Sequence, residues 1–173
     1  MVFSSVGFDN RENVTYIINC VMGATSKDGI EWKKTQEPIL IWEKEYEEGW
    51  VAGVPSPPSI GGYHRPSLTW DSEEDKWKVW LDYYLPGTFL SMGYAINNGE
   101  FMNPAHWQVM HAGENPQLRD WPNPEVVKIN EIYYAFSDAT GYDTGMGAQN
   151  DRQIVMAASK NGWDWTVIGR ILP

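Results

Sequence analysis

Ser159-Lys160-Asn161-Gly162-Trp163-Asp164-Trp165 closes the last third of the chain, and Ser26-Lys27-Asp28-Gly29-Ile30-Glu31-Trp32 closes the first. A stretched copy lies between them, from Ala95-Ile96-Asn97-Asn98-Gly99 to Trp107. Each copy follows a run of strand-forming residues and precedes another short apolar segment. A phrase repeated at intervals of roughly 60 residues marks stacked copies of one supersecondary unit. Within the phrase, a polar side chain ahead of glycine with a tryptophan at fixed distance reads as a turn carrying a packed ring. Asp28 and Asn161 are therefore expected to be structural.

The two fuller repeats share one order of strands. In the middle repeat, Tyr63 to Trp70 reads as strand one and Lys76 to Tyr84, with aromatic and aliphatic residues alternating with others, as strand two. Pro86-Gly87 marks a turn, Phe89 to Ile96 reads as strand three, and strand four surrounds Trp107 to Met110. In the last repeat the corresponding segments are Asn123 to Ile129, Ile132 to Asp138, Gln153 to Ala158 and Trp165 to Ile168. Aligned by their second strands, Trp77, Trp80 and Asp82 coincide with Tyr133, Phe136 and Asp138. Four antiparallel strands repeated radially form a propeller blade. The expected fold is all-β, a partial propeller of about two and three-quarter blades in one domain, 1–173. It divides into an incomplete blade (1–42), a connection (43–62) and two blades (63–118 and 119–173). The first blade offers a second strand, Val2 to Phe8, but no first. A chain that starts inside a blade is expected to belong to a longer polypeptide or to pair with copies of itself, because open blade faces are unfavourable in water.

The chain has 173 residues, 42% of them hydrophobic, with ten Trp, nine Tyr and a net charge of −10. That charge disfavours a nucleic-acid partner, since no basic patch is available to displace counterions. The aromatic excess suits β-structure and also sugar-stacking surfaces. One cysteine, Cys20, permits no internal disulfide and reads as a small buried hydrophobe. No apolar run reaches membrane-spanning length and no signal peptide is visible, so a soluble protein without a membrane partner is expected. His106 and His111 flank a strand without a third ligand at useful spacing, so neither metal nor other cofactor is expected.

The blade phrases resemble the five-bladed propeller glycoside hydrolases of the invertase/levansucrase and arabinanase/β-xylosidase type. The resemblance rests on His64-Arg65-Pro66-Ser67-Leu68 ahead of Lys76 to Tyr84, on Asn123-Pro124-Glu125-Val126-Val127 ahead of Ile132 to Asp138, and on the closing phrases. It implies a carbohydrate partner and a pair of carboxylates facing the central channel, one protonated and one ionised. Where such proteins often place Asp before Pro, this chain has Arg65 and Asn123, which supply no acid. The carboxylates that remain are Glu125, Asp138 and Asp82, taken as the catalytic candidates. His64, Arg65, Asn123, Tyr83, Tyr142 and Asp143 are the candidates for contacting substrate. Asp82 and Asp138, being equivalent in two repeats, have an alternative structural reading as caps on backbone N–H groups. Two other roles remain open at this point: a non-catalytic carbohydrate-binding or adhesion module, and a piece of a structural assembly, including a homo-oligomer that completes the ring.

Overall fold

The computed structural model describes residues 1–11, 14–41, 59–84, 91–111, 115, 117–118, 121–138 and 154–171. Within these, only the backbone is described for 7–11, 14–18, 59–61, 64, 83–84 and 91. The described strands are β1 (Val2–Arg11), β2 (Val14–Thr25), β3 (Lys33–Lys34), β4 (Leu40–Ile41), β5 (Ser59–Asp71), β6 (Lys76–Tyr84), β7 (Ser91–Asn97), β8 (Trp107–His111), β9 (Glu125–Ile129), β10 (Ile132–Ser137), β11 (Val155–Ser159) and β12 (Thr166–Arg170).

Residues β9 to β12 form a four-stranded antiparallel sheet in the order β12-β11-β10-β9. The run β5-β6-β7-β8 repeats that arrangement. Ahead of it, β1 pairs with β2, and β3 and β4 both lie along the other edge of β2. One feature departs from the expectation of separate blades. β2 and β5 make a short parallel bridge (Ile17↔Ser59, Ile18↔Gly61, Asn19↔Gly62), which joins the first two units into one eight-stranded sheet. Glycine permits this approach: Gly62 has φ of 124°, and a Cβ there would lie 2.2 Å from the Asn19 carbonyl oxygen. β5 accordingly begins at Ser59, in the segment expected to be connection.

The alternation of β6 decides the packing. Val79 and Leu81 point to one side, where they join Val21, Ile39, Leu40 and Tyr63 in a core shared with the first unit. Trp80 points to the other side, into a core with Tyr133, Ala135, Ala157 and Trp165 of the third unit. The strand is covered on both faces along its middle, so that even its charged members Lys78 and Asp82 are buried. Trp80 is wholly buried: its ring stacks on Tyr94 at 5.2 Å, lies 5.3 Å from Tyr133, and meets Trp165 edge-on at 6.5 Å. Its indole N–H donates to the Gly162 carbonyl at 2.7 Å. Beside it, Ser67 Oγ accepts from the Val126 N–H at 2.8 Å, and Thr69 Oγ1 donates to the Val126 carbonyl at 2.6 Å.

The closing phrases form the expected turns. Asp28 Oδ1 accepts from the Ile30 and Glu31 N–H groups, and Ser26 Oγ from that of Gly29. Asn161 Oδ1 and Ser159 Oγ do the same for Trp163, Asp164 and Gly162. These backbone donors hold the Asp28 carboxyl below its ordinary range. Gly29 and Gly162 have φ of 76° and 79°, a region that favours glycine. Cys20 is buried, as its surroundings in β2 suggest.

Candidate functional site

Between β5 and β6 the register slips once. His64 faces Asp82 and Ser67 faces Trp80, so Arg65 and Pro66 together oppose Leu81 in a β-bulge. Arg65 has φ of 51°, and so does Asn123, which also precedes a proline. A residue before proline favours extended backbone, and holding a side chain other than glycine at positive φ costs about 1–3 kcal/mol. What offsets that cost is a bond made by each backbone N–H to the preceding unit. Arg65 donates to Ser4 Oγ at 2.6 Å, and Asn123 donates to Asp82 Oδ1 at 2.9 Å. Ser4 pairs with Val21 and Asp82 with Met92, each partner equally far ahead of its closing turn (Ser26 and Asn97). The same backbone-to-side-chain latch therefore recurs at two successive junctions.

Asp82 is the centre of this cluster. Besides the Asn123 N–H it accepts from Arg65 Nη1 at 3.1 Å, with its own side chain fully buried and that of Arg65 49% exposed. Asn123 then donates from Nδ2 to Asp138 Oδ1 at 2.8 Å. Arg65, Asp82, Asn123 and Asp138 thus form one connected polar chain at the ends of the second strands, running from unit two to unit three. Burial pushes the Asp82 carboxyl up to about 7. The charge and hydrogen bond of Arg65 and the Asn123 N–H pull it down without cancelling that effect, and the nearby Asp138 adds to it.

The candidates sort as follows. Arg65, Asp82, Asn123 and Asp138 are brought together. Asp82 reaches no solvent, and the backbone N–H that it caps belongs to the neighbouring unit. Glu125 is exposed at the start of β9, opposite Phe136, outside the polar chain. The backbones of His64 and Tyr83 lie beside it, paired with Asp82 and Tyr63. Tyr142 and Asp143 lie outside the described residues. Ser4 escaped the sequence reading, although its register against Ser26 matches that of Asp82 against Asn97. His106 has a local task, accepting the Glu100 N–H on Nδ1 at 2.7 Å. Among the described residues no cluster of three or more His, Cys, Asp or Glu could hold a metal ion, and no helix is long and apolar enough to cross a membrane.

A second polar cluster, also unanticipated, bridges the same two units at the opposite end of the strands. Lys78 Nζ lies 2.7 Å from Asp71, 2.6 Å from Glu74 and 2.8 Å from the Tyr133 hydroxyl. Lys128 Nζ reaches Asp71 and Glu73, both at 2.7 Å, and the Tyr133 hydroxyl donates to Asp71. Asp71 and Lys78 are buried. Burial alone would raise the Asp71 carboxyl, but the bonds from Lys128, Lys78 and Tyr133 outweigh it and hold that group well below the usual carboxylate range. Lys78 is held above its ordinary value: its bonds to Asp71, Glu74 and Tyr133 outweigh the opposing effect of burial.

No family profile matches this chain, and no curated protein matches it in sequence. Among solved structures it is similar to an endo-1,4-beta-xylanase from Bacteroides thetaiotaomicron VPI-5482, with a TM-score of 0.50 and 15% identity over 97% of this chain and 53% of the other. The likeness is one of fold: an all-β arrangement of antiparallel sheets that resembles part of that xylanase. The chain spans about half the length of the xylanase. A GH43 beta-1,3-galactosidase aligns with a TM-score of 0.40 and 12% identity over 98% of this chain and 43% of its own. At such identities the likeness concerns architecture, and chemistry has to be read from the site.

Proposed function

We propose that this chain is part of a five-bladed, carbohydrate-active propeller, and that it acts on or binds a glycan at the surface carrying Arg65, Asn123 and Asp138. The observation that carries the reading is the connected chain Arg65–Asp82–Asn123–Asp138, set at the ends of the second strands of two adjacent units of a glycoside-hydrolase-like fold. In this reading Asp82 is a positioning residue. Its buried carboxyl group accepts from the Arg65 guanidinium and from the strained Asn123 backbone, and solvent does not reach it. Asp138 and the exposed Glu125 are the carboxylates left to meet a sugar, Asp138 as a hydroxyl acceptor or acid–base group. Arg65 presents the remaining donors of its guanidinium fork to hydroxyl or carboxylate oxygens.

A glycan array followed by intrinsic tryptophan fluorescence titration tests binding, and chromogenic xylosides, arabinosides, galactosides and fructosides test turnover. The expected result is a saturable response to at least one glycan, weakened about tenfold by Asp138→Asn, which corresponds to one lost charge-assisted hydrogen bond. No response to any glycan would overturn the reading. A specific observation favours the non-catalytic version: both positions before proline hold residues without an acid, and both are committed to latching one unit to the next. Binding without turnover, unchanged by Glu125→Gln, is the outcome that selects it.

A further inference from the structure

The sequence holds three pairs in which Asp or Asn precedes glycine, Asp28-Gly29, Asn98-Gly99 and Asn161-Gly162, and all three fall in closing turns. In such a pair the glycine, having no Cβ, lets its own nitrogen approach the side-chain carbonyl carbon of the residue before it. The three turns restrain that approach differently.

In the first and third turns the side chain is tied down. Asn161 Oδ1 accepts from the Trp163 and Asp164 N–H groups, both at 2.9 Å, and Asn161 Nδ2 donates to Asp164 Oδ2 at 2.7 Å. The Gly162 N–H is committed to Ser159 Oγ at 2.9 Å, and the glycine itself lies against the Trp80 ring. Asp28 Oδ1 is held in the same way by the Ile30 and Glu31 N–H groups, and the Gly29 N–H by Ser26 Oγ. Those donors also favour the ionised form of Asp28, which is a poor electrophile.

The middle turn is built differently. It is one residue shorter ahead of its glycine, with Asn97 in the place of Ser26 and Ser159. The N–H two residues past Asn98, that of Glu100, corresponds to those of Ile30 and Trp163, and it donates to His106 Nδ1 at 2.7 Å. The Asn98 side chain instead turns outward, donating from Nδ2 to Gln108 Oε1 at 3.1 Å, and both residues are exposed. The Gly99 N–H makes a longer bond, 3.2 Å, to Asn97 Oδ1. A Cβ at position 99 would lie 2.7 Å from His106 Nδ1, so the packing of that ring calls for glycine there. The contact that releases the Asn98 side chain from the turn therefore also demands the neighbour that exposes Asn98 Cγ to attack.

We propose that Asn98 is a site of spontaneous deamidation, and that the turn bonds at Asn161 protect the equivalent pair in the third unit. The Gly99 nitrogen forms a bond to Asn98 Cγ, the Cγ–Nδ2 bond breaks, and ammonia leaves with the proton of the Gly99 amide, which closes a succinimide ring. Water then adds to either ring carbonyl and leaves aspartate or isoaspartate at position 98, with no change of oxidation state. Both products put a carboxylate where an amide donated to Gln108, and isoaspartate lengthens the backbone in the turn that joins β7 to β8. The proposal does not depend on the glycan reading.

Storage of the folded 173-residue chain in mildly alkaline water enriched in heavy oxygen, followed by peptide mapping and mass spectrometry, tests this. The Asn98 peptide is expected to gain a carboxylate carrying heavy oxygen and to split into aspartate and isoaspartate forms. It should do so at least about tenfold faster than the Asn161 peptide, the factor for breaking about one hydrogen bond before reaction. In concentrated urea, which melts both turns, the two rates should converge. Circular dichroism reports that the stored chain keeps its fold. Equal rates at Asn98 and Asn161 in the folded chain, or labelling of Asn98 only after unfolding, would overturn the proposal. So would a difference that persists in urea, since its cause would then lie in the neighbouring sequence and not in the turns.

Discussion

Replacing Gly162 by alanine probes the junction between units with an internal control supplied by the repeat. Gly162 and Gly29 share a backbone conformation, φ of 79° and 76°. An alanine at either site pays about 1 kcal/mol for a side chain at positive φ. At Gly29 that is the whole effect, because among the described residues its Cβ would meet nothing within 4 Å. At Gly162 the Cβ would lie 2.7 Å from Trp80 Cζ2, and that ring is held between Tyr94, Tyr133 and Trp165 with its indole N–H bonded to the Gly162 carbonyl. Overpacking of a filled core adds about 1–3 kcal/mol, so Gly162→Ala should cost about 3 kcal/mol in total. For a chain of this size that corresponds to a fall of roughly 6–12 °C in Tm, against roughly 2–4 °C for Gly29→Ala. Urea denaturation measures both variants on one scale. Equal destabilisation by the two would refute the packing of Trp80 into the third unit's closing turn.

Three further outcomes follow from the two polar clusters. Asp82 has a folded-state value raised to about 7, so the native state binds a proton that the unfolded chain, with an ordinary carboxyl, has released. Its contribution is present below the unfolded value near 4 and is lost as pH rises through about 7, with a slope of at most about 1.4 kcal/mol per pH unit. Asp82→Asn, which keeps an acceptor for the Asn123 N–H, should flatten stability between about pH 4 and 7 in urea titrations at each pH; an unchanged slope would count against a protonated Asp82. Lys78→Met leaves the buried Asp71 with one cation fewer and should destabilise by about 3 kcal/mol, read as a lower urea midpoint; a change under about 1 kcal/mol would mean that Asp71 does not need Lys78. The same variant should move the onset of acid unfolding to higher pH, because the depressed carboxyl of Asp71 contributes stability that is lost only as pH falls.

Much of the architecture was legible because it rests on local chemistry. The span of β6, Lys76–Tyr84, follows from its alternation between polar turns. The roles of Asp28 and Asn161 follow from the side chain–glycine–tryptophan spacing. What escaped depends on contacts between units. The buried Lys78 looked like the polar member of an alternating strand, and it is covered only because Asp71 and Tyr133, from two different units, surround it. The positive φ of Arg65 and Asn123 runs against the ordinary preference before proline, and its compensating bonds span 61 and 41 residues. The parallel bridge between β2 and β5 left a trace in Gly61-Gly62, a pair that suits a turn as well as a close approach. For the candidate site, repeat alignment located Asp82 and Asp138, whereas the burial that separates a positioning carboxylate from a reachable one comes only with the packing of unit two on unit three.

The account turns on the seating of one unit's ring in the next unit's closing turn. A ¹H NOE experiment on the labelled chain addresses it directly. Cross-peaks between the Trp80 ring and the α protons of Gly162, residues 82 positions apart, are expected together with a slowly exchanging Trp80 indole proton. Absence of those cross-peaks, or a Trp80 indole that exchanges as freely as an exposed one, would contradict it.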